Sequence, residues 1–166
     1  STVAERSQLA AAAARTESQA NGSLMRVSPL GIFAAGSPES AVDSVIEWAR
    51  ADSRLTHPSP VCQDSCAVFA AAIARAIRES GSPRECYQSA LEIAERAGVC
   101  AEVSQTLQDA AHAPPADYLH HEGWVLIALQ NAFYQLLHAA NFEEGVVATV
   151  MAGGDTDTNA AIAGAL

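Results

Sequence analysis

From Pro60 to Ser80 the chain contains no glycine and, after its first position, no proline. Its apolar residues Val61, Cys62, Val68, Phe69, Ala72, Ile73, Ala76 and Ile77 recur at helical spacing. So long a helix with so many small side chains needs neighbours that approach it closely, which favours packed helices over a sheet sandwich. The rest of the sequence agrees. Ala4 to Arg15 is an alanine-rich helix with no evident N-terminal signal, and Pro29 opens another to about Ala35. Gly36-Ser37-Pro38-Glu39 stops that helix and caps the next, in which Ala41, Val42, Val45, Ile46 and Ala49 share a face and which ends near Asp52. Further helices are expected from Pro83 to Ala97 (Tyr87, Leu91, Ile93 and Ala94 inward, Gly98 ending it), Val103 to Ala111, Gly123-Trp124 to Leu137, and Phe142 to Met151. No stretch alternates with a period of two. Hydrophobic residues make up 49% of the 166, yet aromatics only 5%, so alanine must do much of the packing. The expectation is an all-α single domain over residues 1–166, with about eight helices and length enough to bury a core.

Charge narrows the function. The net charge is −10, with nine arginines and no lysine, which argues against nucleic acid or an anionic membrane as partner. No apolar run reaches membrane-spanning length, and no signal-peptide pattern opens the chain. The cysteines are Cys62, Cys66, Cys86 and Cys100. Cys62 and Cys66 share a helix face but lack two more ligands at zinc spacing, so buried free thiols and a cytoplasmic location are expected.

The chemistry concentrates in Gly153-Gly154-Asp155-Thr156-Asp157-Thr158-Asn159. The glycine pair lets the backbone leave a helix through positive φ and approach a ligand, and Asp155 or Thr156 then caps the next helix. Carboxylate and hydroxyl oxygens on one turn suit Mg²⁺, Mn²⁺ or Ca²⁺ rather than zinc or copper. An EF-hand loop would need Gly and Glu where Ala160 and Leu166 stand. A phosphatase-type aspartate after Val146 to Val150 would need a strand and a long following chain. The simplest alternative is a helix cap with a spare acid.

Two other turns carry small polar residues. Asn21-Gly22-Ser23 ends a polar loop and precedes Leu24-Met25-Arg26; such a turn can offer backbone N–H groups to a phosphate, or merely turn the chain. Thr56-His57-Pro58 precedes the long helix, where His57 is either a cap or a ligand contact. His120-His121-Glu122 lacks the H-E-x-x-H spacing and reads as solvated. Trp124 is core or pocket wall.

Taken whole, Gly153 to Leu166 resembles the C-terminal metal motif of the ADP-ribosylglycohydrolase family, and Asn21 to Arg26, Thr56-His57 and Gly123-Trp124 are similar to further family elements in family order. Ala20 stands where the family usually has a first glycine. The resemblance implies a compact, orthogonally packed all-α fold and hydrolysis of the glycosidic bond joining ADP-ribose to a protein side chain or related conjugate. It further implies that Asp155, Asp157 and Thr158 hold metal, with two Mg²⁺ or Mn²⁺ ions in the complete site. Asn21, Gly22, Ser23, His57, Gly153 and Gly154 would face the substrate. The expected partner is an ADP-ribosylated protein or ADP-ribose conjugate. No catalytic residue beyond the metal ligands is expected in this chain, because the family's Thr-Asp-Asp motif has no counterpart here; the chain resembles the family's C-terminal part, inactive by itself. The competing expectation is a non-catalytic ADP-ribose-binding or structural protein on the same scaffold.

Overall fold

The computed structural model describes residues 2–36 and 41–166. Among these there are nine α-helices and no strand. They are α1 (Val3–Ala13), α2 (Ser28–Ala35), α3 (Ala41–Arg54), α4 (Pro60–Glu79), α5 (Pro83–Ala97), α6 (Ala101–Ala110), α7 (Val125–His138), α8 (Phe142–Met151) and α9 (Thr156–Gly164), with one 3₁₀ turn at Leu24–Arg26. The all-α expectation holds, with α1 ending at Ala13 rather than Arg15 and α6 beginning at Ala101 rather than Val103. The expected stop and cap lies outside the described residues from Ser37 to Glu39, as do the side chains of Ala41 and Val42.

The long helix is the hub. From Ala67 to Ala74 every residue of α4 is buried, so the helix is apolar all round, and α2, α3, α5, α6 and α7 all pack on it. Two expectations need correction here. Ile77 is 52% exposed, because the last turn of α4 runs out beyond its neighbours. And α4, with 20 residues and a mean hydropathy of 1.2, is long and apolar enough to cross a membrane, but 72% of that stretch is buried within the protein. It is the core helix.

Polar ties fix the helices around this hub. Arg50 of α3 pairs with Asp64 of α4 at 2.8 Å and also donates to the Ala97 carbonyl. Asp64 uses its other oxygen to accept the Cys100 N–H at the start of α6. Tyr87 of α5 donates to the Leu107 carbonyl of α6 at 2.8 Å. Capping boxes begin α5 (Ser82 with Glu85) and α1 (Thr2 with Glu5), the second being the N-terminal signal the sequence reading had not found. No residue of α1 is buried. Cys62, Cys66 and Cys86 are buried free thiols as expected, and Cys100 is partly exposed.

Candidate functional site

Helix α8 delivers the chain to a turn at Gly153 (φ +85°) and Gly154 (φ +73°), both left-handed. A β-carbon on Gly154 would overlap the Tyr118 carbonyl, so the backbone of the α6–α7 loop lies directly on this residue. Asp155 follows at the N-cap position of α9, yet its side chain makes no capping bond. Its Oδ2 instead accepts from Asn21 Nδ2 at 2.8 Å, from 134 residues away. Capping therefore does not account for this carboxylate. Asp157 is exposed in the first turn of α9, and Thr158 is partly exposed beside it. The partial positive charge at the start of α9 favours both acids there.

Asn21 is 6% exposed and held from all sides. Its N–H donates to the Gly123 carbonyl and the Val125 N–H to the Gln19 carbonyl, both at 2.9 Å, forming a short antiparallel bridge of Ala20 with Trp124. Its side chain also reaches the Oδ1 of Asn159, 3.5 Å away; the Nδ2 of Asn159 is buried without a partner. At Gly22 a β-carbon would lie 2.8 Å from His57 Cε1, so the imidazole packs against the bare Cα. Arg26 donates to the Gly22 carbonyl at 3.1 Å and pairs with Asp52 at 3.0 Å. The His57 Nδ1 sits 2.8 Å from Thr56 Oγ1. Burial, and then the nearby Arg26 charge, hold the His57 pKa below its ordinary value.

The structure thus brings Asn21, Gly22, His57, Gly154 and Asp155 into one chain of contacts. Ser23 departs from its expected place facing a substrate: the whole residue is buried, its hydroxyl against Ser53 and Cys66. Arg26 stands in the Asn21–Arg26 stretch already noted, while Asp52 and Ser53 support the site without having been singled out. The only hint in the sequence was Ser53 standing one helical turn before His57.

An open cleft of about 620 Å³ runs between Glu17–Ala20 and His120–Trp124. It abuts the glycine turn through Glu122, whose Cβ would be 3.2 Å from a β-carbon on Gly154, but its lining includes neither Asp155 nor His57. Trp124 is a wall of this cleft, held by a 2.8 Å bond from Nε1 to Gln19 Oε1 and edge-on to His121. His120 is exposed and tied to Asp117, 2.6 Å away.

Among the described residues no three His, Cys, Asp or Glu side chains gather closely enough to hold a metal ion. The donor set of Asp155, Asp157 and Thr158 is all hard oxygen and fits Mg²⁺ or Mn²⁺ in kind. It supplies three of the roughly six ligands such a cation takes, the rest coming from water or a bound ligand.

The ADP-ribosylglycohydrolase family model matches residues 1–166. No curated protein matches the chain. Among solved structures, a chain of an "ADP-ribosylglycohydrolase-related protein complex" superposes with a TM-score of 0.78 at 23% identity. That match covers 98% of this chain and 56% of the other, so the chain spans little more than half the length of that relative. At this identity the likeness speaks for the fold.

Proposed function

The chain belongs to the ADP-ribosylglycohydrolase family, and from that membership we propose that it serves hydrolysis of the bond joining ADP-ribose to a protein side chain or a related conjugate. The observation that carries the reading is Asp155. It occupies a helix-cap position, leaves the cap unmade, and is gripped by Asn21 from the other end of the chain. An aspartate kept only as a helix cap would have satisfied the α9 N–H groups instead.

Asp155, Asp157 and Thr158 would hold Mg²⁺ or Mn²⁺, with two ions in the complete site. When bound, a divalent ion supplies Lewis-acid polarisation of the glycosidic centre. The chain's own residues do the rest. Asn21 fixes one carboxylate oxygen and so orients the other outward. The partly exposed backbone at Gly22 offers its N–H to a diphosphate, and the Gly153-Gly154 turn allows close approach. His57, whose pKa burial and Arg26 hold below its ordinary value, would face the diphosphate beside Gly22. The carboxylates of Glu17 and Glu122 on the cleft, with Asp155 and Asp157 on the adjoining turn into α9, repel a free anion, which supports a cation as the bridge to the ligand. The partner is then an ADP-ribosylated protein or conjugate in a reducing cytoplasm, and neither a nucleic acid nor a membrane.

The test is release of ADP-ribose from an ADP-ribosylated protein by the full-length protein in Mg²⁺ or Mn²⁺, compared with its Asp157→Ala variant. Release that Asp157→Ala abolishes supports the reading. Tight ADP-ribose binding without release would support the non-catalytic binder, and neither binding nor release would overturn both.

A further inference from the structure

Two thiols one helical turn apart on α4 face the Asn21 turn from beneath. Cys62 Sγ lies 3.7 Å from the Ser18 carbonyl and 3.6 Å from that of Ala20. Cys66 Sγ lies 3.5 Å from Ser23 Oγ. Ser53 Oγ stands 3.0 Å from Ser23 Oγ and 3.1 Å from the His57 carbonyl. Ser23, Ser53 and Cys66 are each 0% exposed, so water does not compete for these bonds.

Proton counting sets the direction of this chain. Each hydroxyl and thiol carries one proton, and a carbonyl can only accept. Ser53 therefore donates to the His57 carbonyl, Ser23 donates to Ser53, and Cys66 donates to Ser23. Every donor is used once, and the chain ends on the backbone of the residue that packs on Gly22. Burial pushes the Cys66 thiol up to about 11, which keeps it the proton donor the chain requires.

We propose that Cys66, Ser23 and Ser53 are positioning residues that lock the His57 turn to the Asn21–Gly22 turn, with Cys66 as the anchor on the core helix. None of the three touches a ligand through its side chain. The locking is a property of the fold; only its effect on ADP-ribose rests on the hydrolase reading.

Two readouts on the full chain test this: the NMR titration of the His57 imidazole, and calorimetric binding of ADP-ribose. Ser53→Ala and Cys66→Ala should each raise the His57 midpoint toward its ordinary value, as the ring leaves Gly22 and gains water. Each should weaken ADP-ribose binding about five- to tenfold, the equivalent of one hydrogen bond. Cys66→Ser, which restores a proton at that site, should recover part of both effects. A merely structural cysteine would show no such recovery. If Ser53→Ala does not fold, Cys66→Ala carries the test, since a buried thiol behaves as a small apolar group that alanine nearly replaces. An unmoved His57 midpoint in a folded variant overturns the proposal. If the unsubstituted chain binds no ADP-ribose, the hydrolase reading falls, and the His57 titration still decides whether the chain of bonds positions the ring.

Discussion

Replacing Gly154 by alanine measures how tightly the carboxylate turn is built. Two effects add at this position. An L-residue at φ +73° carries left-handed strain of roughly 1–2 kcal/mol. The new methyl would also overlap the Tyr118 carbonyl, a backbone atom with little freedom to retreat. Tyr118 is anchored through its hydroxyl, which donates to Asn131 Oδ1 at 2.8 Å; Asn131 in turn donates to Thr149 Oγ1 at 3.0 Å, and Thr149 to the Gly145 carbonyl. Relieving the overlap means shifting that network or the turn, an overpacking penalty of about 1–3 kcal/mol. Together these give about 2–5 kcal/mol. Gly98→Ala is the control: Gly98 is also left-handed, at φ +59°, but a β-carbon there meets nothing within 4 Å. It should cost only the strain, about 1–2 kcal/mol. Gly153→Ala meets only the mobile end of Leu119 and should resemble the control. Urea unfolding of the three variants gives the comparison directly. Equal losses for Gly154→Ala and Gly98→Ala would refute the claim that Tyr118 backs the turn.

In the full-length protein Asp157→Ala should abolish ADP-ribose release while leaving the metal-free melting temperature nearly unchanged, because the side chain is exposed and removing it relieves the repulsion between two neighbouring negative charges. A large drop in melting temperature would instead make Asp157 a structural cap. Calorimetric titration with Mg²⁺ or Mn²⁺ should find one loosely held ion, at about millimolar affinity or weaker, since three protein oxygens leave half of a roughly six-oxygen shell to water. Two tightly bound ions would contradict that count. The His57 pKa is lower in the folded chain than the unfolded value near 6.5, so the unfolded chain takes up a proton first as pH falls. Stability should therefore decline as pH drops below about 6.5 and level off below the folded pKa, and the melting temperature of His57→Gln should lose this part of the slope.

The helices were legible because their punctuation is local. Pro60, Pro83, Gly98 and the glycine pair each act within a turn or two of themselves, so reading along the chain finds them. Ile77 misled because periodicity reports which face is apolar but not where the neighbours covering it end. Asp155 misled in the same way. Capping preference placed it correctly at the start of α9, while a partner 134 residues away decided what its carboxylate does. The family resemblance has Ser23 facing the substrate, whereas the packing of α3 and α4 beneath it turns the hydroxyl inward. Trp124 could not be settled until Gln19 and the cleft fixed its ring. What stayed hidden, then, was tertiary contact, and the family resemblance supplied the part of it that spacing could not.

The bond between Asn21 and Asp155 also has a consequence in time. Helices form from neighbours along the chain, but this contact must close nearly the whole of it, and closing so large a loop is unfavourable until the core already holds its ends near each other. The helical framework can therefore assemble around α4 before the two halves of the site meet. A growing chain has no such site until Asp155 has been made, 134 residues after Asn21. Loss of the Asn21 amide would then hasten unfolding and leave the refolding rate almost untouched, the kinetic mark of a contact made after the transition state.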